Sequence, residues 1–299
     1  METEEIPLVS ISCMTFNHEL FIRDALEGFV MQRTNFGFEV LIHDDASTDR
    51  TAEIIKEYAG RFPKLIKPVY QVENQWQKGN RGSGVHNFPR ARGTYIALCE
   101  GDDYWTDEYK LQRQVDFLNA NPAYSMVCEN GLIVNTVNNY NVNFNTMPEG
   151  DVEIITMLQK RQFPTASVMF RGKFLDEEYY KLNLVGDTIL WCYLAMRGKV
   201  RYLENISSVY RRGLHGLVES TGKLKWAQLM ESWNEEISRI LPVQFNRKIF
   251  KTKNFEEYMH AFFASIKEKK ARNALVSIKK CFKYEPVRTV KTLIAIVIK

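Results

Sequence analysis

Thr94-Tyr-Ile-Ala-Leu-Cys-Glu-Gly-Asp-Asp103 is a short apolar run that ends in three carboxylates within four residues. A run of this length and composition reads as a buried strand, so Glu100, Asp102 and Asp103 stand just beyond its end. The same arrangement recurs upstream. Phe38-Glu-Val-Leu-Ile-His43 is followed by Asp44-Asp45, and Leu8-Val-Ser-Ile-Ser-Cys-Met14 by Thr15-Phe-Asn17. Pro68 to Val72 supplies a further strand signal. Between these runs the apolar spacing turns helical: Leu20, Phe21, Ala25, Phe29 and Val30 within 18–33, and then 50–59, with Asp49 placed to cap it. Lys110 to Asn119 predicts a helix stopped by Asn121-Pro122.

Alternating strand and helix predicts an α/β fold, with a mostly parallel sheet and helices on both faces. In such sheets ligands collect beyond the carboxyl ends of the strands. The three polar clusters at those ends are therefore expected to face one crevice. Downstream, 125–134 and 166–170 read as strands and the Asn-rich 135–145 as a loop. Asp187 to Arg197 reads as a helix and Arg201 to Arg211 as a strand. After about residue 222 only helical patterns remain.

The 299 residues are 45% hydrophobic and 25% charged, enough for an ordinary core and against wholesale disorder. No run of 18 apolar residues occurs, which excludes a spanning helix of ordinary length. The start, Met1-Glu-Thr-Glu-Glu5, is unlike a secretory signal. The five cysteines are scattered, with no Cys-x-x-Cys pair, so neither a disulfide framework nor a zinc site is signalled. A cytoplasmic setting is the expectation. Net charge is +4, but residues 221–299 carry 17 Lys plus Arg against 7 Glu, a net of +10, and residues 1–220 carry −6. A mildly acidic body and a basic tail point to two jobs, the tail facing something anionic. The expected division is a domain at 1–220 and a basic helical extension at 221–299.

Four aspartates at two strand ends, Asp44, Asp45, Asp102 and Asp103, repel one another unless a cation sits among them. Hard oxygen ligands favour Mg2+ or Mn2+, which retain water and bind phosphate, pointing to a nucleoside diphosphate. Helix capping and solvation at loop tops is the other reading of the same residues. Other nucleotide motifs fail: Gly82-Ser-Gly84 lacks the third glycine and the strand context, and no Walker-type loop occurs. The five histidines show no H-E-x-x-H spacing.

Three segments together resemble family-2 glycosyltransferases of the GT-A fold: Val9-Ser-Ile-Ser-Cys-Met-Thr-Phe-Asn17, Val40-Leu-Ile-His-Asp-Asp-Ala-Ser-Thr-Asp-Arg-Thr51 and Gly93-Thr-Tyr-Ile-Ala-Leu-Cys-Glu-Gly-Asp-Asp-Tyr-Trp105. Their order and spacing match, and the likeness covers about 7–220. The resemblance implies roles for particular residues. Thr15 lies where the first-strand loop touches the nucleoside, and Asp44 and Asp45 match the acidic pair of which one accepts a hydrogen bond from the base. Glu100-Gly-Asp102 occupies the D-x-D position with glutamate first, making Asp102 the metal ligand, with Asp103 beside it. Val185-Gly-Asp-Thr-Ile-Leu-Trp191 matches the segment carrying the general base, hence Asp187. In Val209-Tyr-Arg-Arg-Gly-Leu-His215, Arg211 or His215 meets the diphosphate. An Arg-Asn pair usual ahead of the fourth strand is missing, with Arg81, Asn87 and Arg90 as possible substitutes.

The implied activity is inverting transfer of a hexose or N-acetylhexosamine from a nucleotide sugar, a UDP-sugar by expectation. The expected acceptor is a glycan or lipid-linked oligosaccharide, with a divalent metal as cofactor. The basic helices are expected either to cap the domain or to face an anionic membrane surface, placing the protein on the inner face of the membrane. No nucleic-acid partner is expected, for lack of a motif. A nucleotidyltransferase and a non-catalytic sugar-nucleotide or glycan-binding module are the rival readings of the same acidic crevice.

Overall fold

A computed structural model describes residues 6–80, 82–135, 140–181, 186–212, 221–242, 245 and 247–297. The chain folds as two units, Met1–Arg212 and Gly213–Lys299.

The first unit is built on one sheet. Its strands are β1 (Val9–Thr15), β2 (Phe38–Asp44), β3 (Ile66–Tyr70), β4 (Tyr95–Leu98), β5 (Tyr104–Trp105), β6 (Tyr124–Asn135), β7 (Tyr140–Asn143), β8 (Gly150–Asp151), β9 (Met169–Arg171) and β10 (Lys199–Arg212). The main order is β3-β2-β1-β4-β9-β6-β10-β5. The first four are mutually parallel. β9 runs antiparallel to both β4 and β6, and β10 returns parallel to β6. The helices are α1 (Ile22–Val30), α2 (Thr51–Arg61), α3 (Ser83–His86), α4 (Lys110–Ala120), α5 (Ile154–Gln159), α6 (Glu177–Lys181) and α7 (Asp187–Ala195).

Strand alternation divides the core between the two faces. Tyr95, Ala97 and Cys99 join Val9, Ile11 and Cys13 in one cluster, under Leu26 and Phe29 of α1, Ile55 and Tyr58 of α2, and Leu111 and Leu118 of α4. Ile96 and Leu98 point the other way, into a second cluster with Phe170, Met157 of α5, and Leu190, Trp191 and Leu194 of α7. In α1 the buried Ile22, Ala25, Leu26 and Phe29 fall at i, i+3, i+4 and i+7, the spacing of a one-faced helix. The fold is the expected α/β class with helices on both faces.

Two local expectations are corrected. The Asn-rich 135–145 is not all loop: Tyr140–Asn143 pairs antiparallel with the end of β6, and 136–139 lie outside the described residues. Residues 166–170 are not one strand. Thr165–Ser167 forms a 3-10 turn, in which Ser167 Oγ donates to the Pro164 carbonyl at 2.8 Å, and β9 starts only at Met169. Periodicity cannot signal a turn that is held by such a side-chain contact.

In the second unit, α8 (Lys223–Ile240), α9 (Lys248–Lys267), α10 (Ala271–Tyr284) and α11 (Pro286–Val297) follow one another. Glu231 of α8 ties three of them: it accepts from Lys280 Nζ at 2.8 Å and from the hydroxyls of Tyr258 and Tyr284. Although burial opposes its ionisation, those donors hold its carboxyl down to about 2.

Gly93 lies two residues before β4, where β1 allows no side chain. A Cβ there would lie 2.5 Å from Ser10 N and 2.7 Å from the Val9 carbonyl carbon. Gly93→Ala is expected to destabilise the first unit by about 1–3 kcal/mol through backbone displacement, read as a lower urea midpoint.

Candidate active site

The site lies beyond the carboxyl ends of β1, β2 and β4, and it is assembled by main-chain ties between neighbouring strand ends. Asp45 N donates to the Thr15 carbonyl at 2.9 Å, joining the ends of β1 and β2. Gly101 N donates to the Met14 carbonyl at 2.9 Å, joining the turn after β4 to β1. A Cβ on Gly101 would meet Thr15 Cβ and His18 Nδ1, both at 2.9 Å. Glycine between Glu100 and Asp102 thus lets the acidic turn settle onto the first loop. Thr15 Oγ1 and His18 Nδ1 are buried there without a hydrogen-bond partner among the described residues. An unpaired polar atom costs free energy when it is sealed from water, so both atoms are available to a bound group.

The two second-strand aspartates differ. Asp44 is buried and accepts the Ser47 N–H at 3.2 Å and its hydroxyl at 2.5 Å, and burial nevertheless raises its pKa. Asp45 holds the following loop: Oδ1 accepts Gln75 N at 2.6 Å and Oδ2 accepts Trp76 N at 3.1 Å. Beside it His43 stacks on His86, with ring centroids 3.8 Å apart, and burial, followed by the neighbouring ring, pushes its pKa down to about 4. It is neutral at pH 7.

Beyond β4 the three carboxylates part company. Asp103 is buried, and its Oδ1 accepts Arg211 N at 2.9 Å. Burial and then the charge of Asp102 raise its pKa well above the usual range. Arg211 Nη1 donates to the Asp102 carbonyl at 2.8 Å, its other nitrogen pairs with Asp24, and its plane lies 4.3 Å over the Tyr104 ring. The Asp102 carboxylate has no hydrogen-bond partner among the described residues and stands partly exposed. Glu100 is exposed at its surface, although protein crowds its surroundings. Burial, then Asp187, then Asp102 push it up to about 8.

That influence brings Asp187 into the same crevice. Asp187 opens α7, where the helix dipole favours a carboxylate, after Gly186 at φ 149°. Its Oδ2 accepts from Thr165 Oγ1 and from Arg161 Nη2 at 3.2 Å, and Oδ1 carries no such contact among the described residues. Arg161 in turn lies 5.3 Å over Tyr210 and 5.9 Å over Phe144.

Thr15, Asp44, Glu100, Asp102, Asp103 and Asp187, separated by up to 172 positions, thus belong to one region of the fold. Sequence reasoning missed Arg161, Thr165 and His18, because no motif spacing sets them apart. The Arg211 guanidinium, expected at the diphosphate, is instead spent on Asp102, Asp24 and Tyr104. Asn87 and Arg90 are interior caps: Asn87 Nδ2 donates to the Cys13 and Leu41 carbonyls, and Arg90 to those of Lys67 and Ile42. Arg81 and His215 lie outside the described residues. The described residues gather no group of three or more His, Cys, Asp or Glu side chains able to hold a metal by themselves. The free Asp102 carboxylate fits Mg2+ or Mn2+ in the manner of ions that take one or two carboxylates and complete their shell with phosphate and water.

Solved structures of like architecture show the fold. S. aureus TarS in complex with UDP-GlcNAc aligns with a TM-score of 0.68 at 16% identity, covering 94% of this chain and 82% of that one. The mannosyltransferase PcManGT from Pyrobaculum calidifontis, in complex with GDP-Man and Mn2+, aligns at 0.57 and 16%, covering 97% and 79%. Their common fold is GT-A. The chain belongs to glycosyl transferase family 2, whose model matches residues 10–179. An uncharacterized protein of Mycobacterium tuberculosis is 36% identical over 218 residues, which are 71% of this chain and 61% of that protein. TuaG of Bacillus subtilis, assigned as a teichuronic acid biosynthesis glycosyltransferase, is 30% identical over 131 residues, 42% of this chain and 50% of its own. The chain therefore spans less than two thirds of the length of these curated relatives.

Because Glu100 titrates higher in the folded protein than its ordinary 4.5, the folded state binds more protons than the unfolded one between pH 4.5 and about 8. Stability associated with Glu100 is present below pH 4.5 and is lost as pH rises through 8. Glu100→Gln is therefore expected to raise the melting temperature more at pH 8.5 than at pH 4.5, measured by thermal melts in EDTA.

Proposed function

We propose that the chain transfers a hexose or N-acetylhexosamine from a nucleotide sugar to a hydroxyl of a glycan or lipid-linked oligosaccharide, with inversion at the anomeric carbon. One observation carries the reading: in a chain of this family, the acidic turn after β4 is hydrogen-bonded onto the end of β1, and its Asp102 carboxylate has no hydrogen-bond partner among the described residues. A uridine nucleotide is the preferred donor, in keeping with the UDP-GlcNAc carried by TarS. The GDP-Man of the archaeal mannosyltransferase is the contrasting case.

Each residue has a role in this scheme. Thr15 and Asp44 meet the nucleoside, while Asp45 holds the 74–77 loop over it. Glu100 and Asp103 flank the diphosphate, and Asp102 supplies the protein ligand to Mg2+ or Mn2+. The ion contributes charge neutralisation of the leaving diphosphate. Asp187 Oδ1 accepts the acceptor's proton as its oxygen bonds to the anomeric carbon. The bond from that carbon to the diphosphate breaks, and the nucleoside diphosphate leaves with the electron pair. Thr165 and Arg161, both on Oδ2, orient the carboxylate so that the other oxygen is free.

A panel of UDP-, GDP-, dTDP- and CMP-sugars, with Mn2+ or EDTA, tests the reading by nucleotide release. Metal-dependent release from one donor class is the expected result. Calorimetry with UDP and Mn2+ that finds no binding, together with silence across the panel, would count against it. Asp102→Ala is expected to abolish the metal-dependent part of donor binding. Asp187→Asn should retain donor affinity and lose transfer by about 100-fold or more; near wild-type transfer would remove Asp187 from the role of base.

A further inference from the structure

Helix α11 is amphipathic the wrong way round for a helix that only packs on its own unit. Its inward residue Thr289 is fully buried, and its hydroxyl donates to the Glu285 carbonyl at 2.7 Å; Thr292 does the same to Arg288 at 2.8 Å. The opposite side, at i, i+3, i+4 and i+7, is Val287, Val290, Lys291 and Ile294. The three aliphatic side chains are 68%, 44% and 52% exposed. A helix stabilised only by its own unit would turn this row inward. The helix before it repeats the theme. On α10 the buried side is Ala274, Ser277 and Cys281, and the outward row is Arg272, Leu275, Lys279 and Phe282, with Leu275 54% and Phe282 42% exposed.

Charge identifies what covers these rows. Between 270 and 297 there are seven Lys and Arg against the single Glu285. Lys280 is held by Glu231 and Arg288 by Glu256, but Arg272, Lys279 and Lys291 form no ion pair among the described residues and stand in or beside the apolar rows. Aliphatic and aromatic side chains interleaved with unpaired cations suit an interface that is apolar below and anionic above. A second copy of this chain would bring the same positive charge against them.

We propose that the outward faces of α10 and α11 dock on an anionic lipid bilayer, with Val287, Val290 and Ile294 entering the acyl boundary and Lys279 and Lys291 meeting headgroup phosphates. The helices lie on the membrane; among the described residues no helix is long and apolar enough to cross one. A lipid-linked acceptor gives the docking its purpose. The surface is nevertheless tested without donor or acceptor, so either idea can fail while the other stands.

The test is co-sedimentation of the full chain with phosphatidylcholine vesicles, with and without about 30% phosphatidylglycerol. Binding to the phosphatidylglycerol vesicles alone, weakened by salt, is expected. The combined variant Val287→Ser, Val290→Ser, Ile294→Ser should lose at least about tenfold in partition coefficient while keeping its far-ultraviolet circular dichroism. Lys279→Glu with Lys291→Glu should lose as much through charge alone, so the prediction stands even if the triple variant is poorly folded. Wild-type protein remaining in the supernatant with both vesicles overturns the proposal, as does a pair of variants that bind as tightly as wild type. A lipid-indifferent dimer that dissociates in the triple variant, seen by sedimentation velocity, assigns the face to a second copy instead and equally overturns it.

Discussion

Like charge forced together is the condition around which the first unit is organised. Glu100, Asp102, Asp103 and Asp187 share a crevice, and in water four such groups would move apart. The fold prevents this by fixing the backbones that carry them. Gly101 is hydrogen-bonded to the end of β1, and Asp103 receives the Arg211 amide from the end of β10. Trp105, buried two residues later, anchors the exit of the turn through its indole N–H on the Ala166 carbonyl at 2.6 Å. Asp187 is set at the start of α7 and held by Thr165 and Arg161. Part of the repulsion is relieved by protonation, since Glu100 and Asp103 both titrate above the usual carboxylate range.

Compensation near the site is selective. Arg211 is committed to the backbone and rim of the acidic turn and keeps its shape. Arg161 sits against the candidate base and leaves one of its oxygens open. Among the described residues the carboxylates of Asp102 and Glu100 receive no protein donor, whereas those of Asp103 and Asp187 do. An acid left without donors beside satisfied neighbours is a candidate for binding rather than for scaffolding. Buried Thr15 Oγ1 and His18 Nδ1, unpaired beside the same turn, extend that logic to the first loop.

The second unit uses charge in the opposite sense. Its buried acid, Glu231, is satisfied several times over and serves as a bolt between α8, α9 and α10. Its cations are in excess and face outward with apolar neighbours. An acidic crevice in the first unit and a basic, partly apolar surface in the second are separate uses of charge, and one net charge of +4 conceals both.

By itself the sequence determined the strand–helix alternation, the parallel β1–β4 core and the acidic strand ends, because side-chain periodicity and the placing of carboxylates after apolar runs are local properties. It also located Asp187, through the short motif that opens its helix. Periodicity did not disclose the antiparallel β9 or the hairpin strand β7, whose pairing depends on partners far along the chain. Only the tertiary structure separated the contacts of Asp44 and Asp45, since Asp44 is held locally by Ser47 while Asp45 takes the Gln75 and Trp76 amides that the next loop brings to it. It likewise showed Arg90 and Asn87 spending their donors on carbonyls distant in sequence, tied Arg211 to Asp102 and Asp24, and placed Arg161 and Thr165 against Asp187. A hydrogen-bond donor can be used once, and only the folded chain decides where.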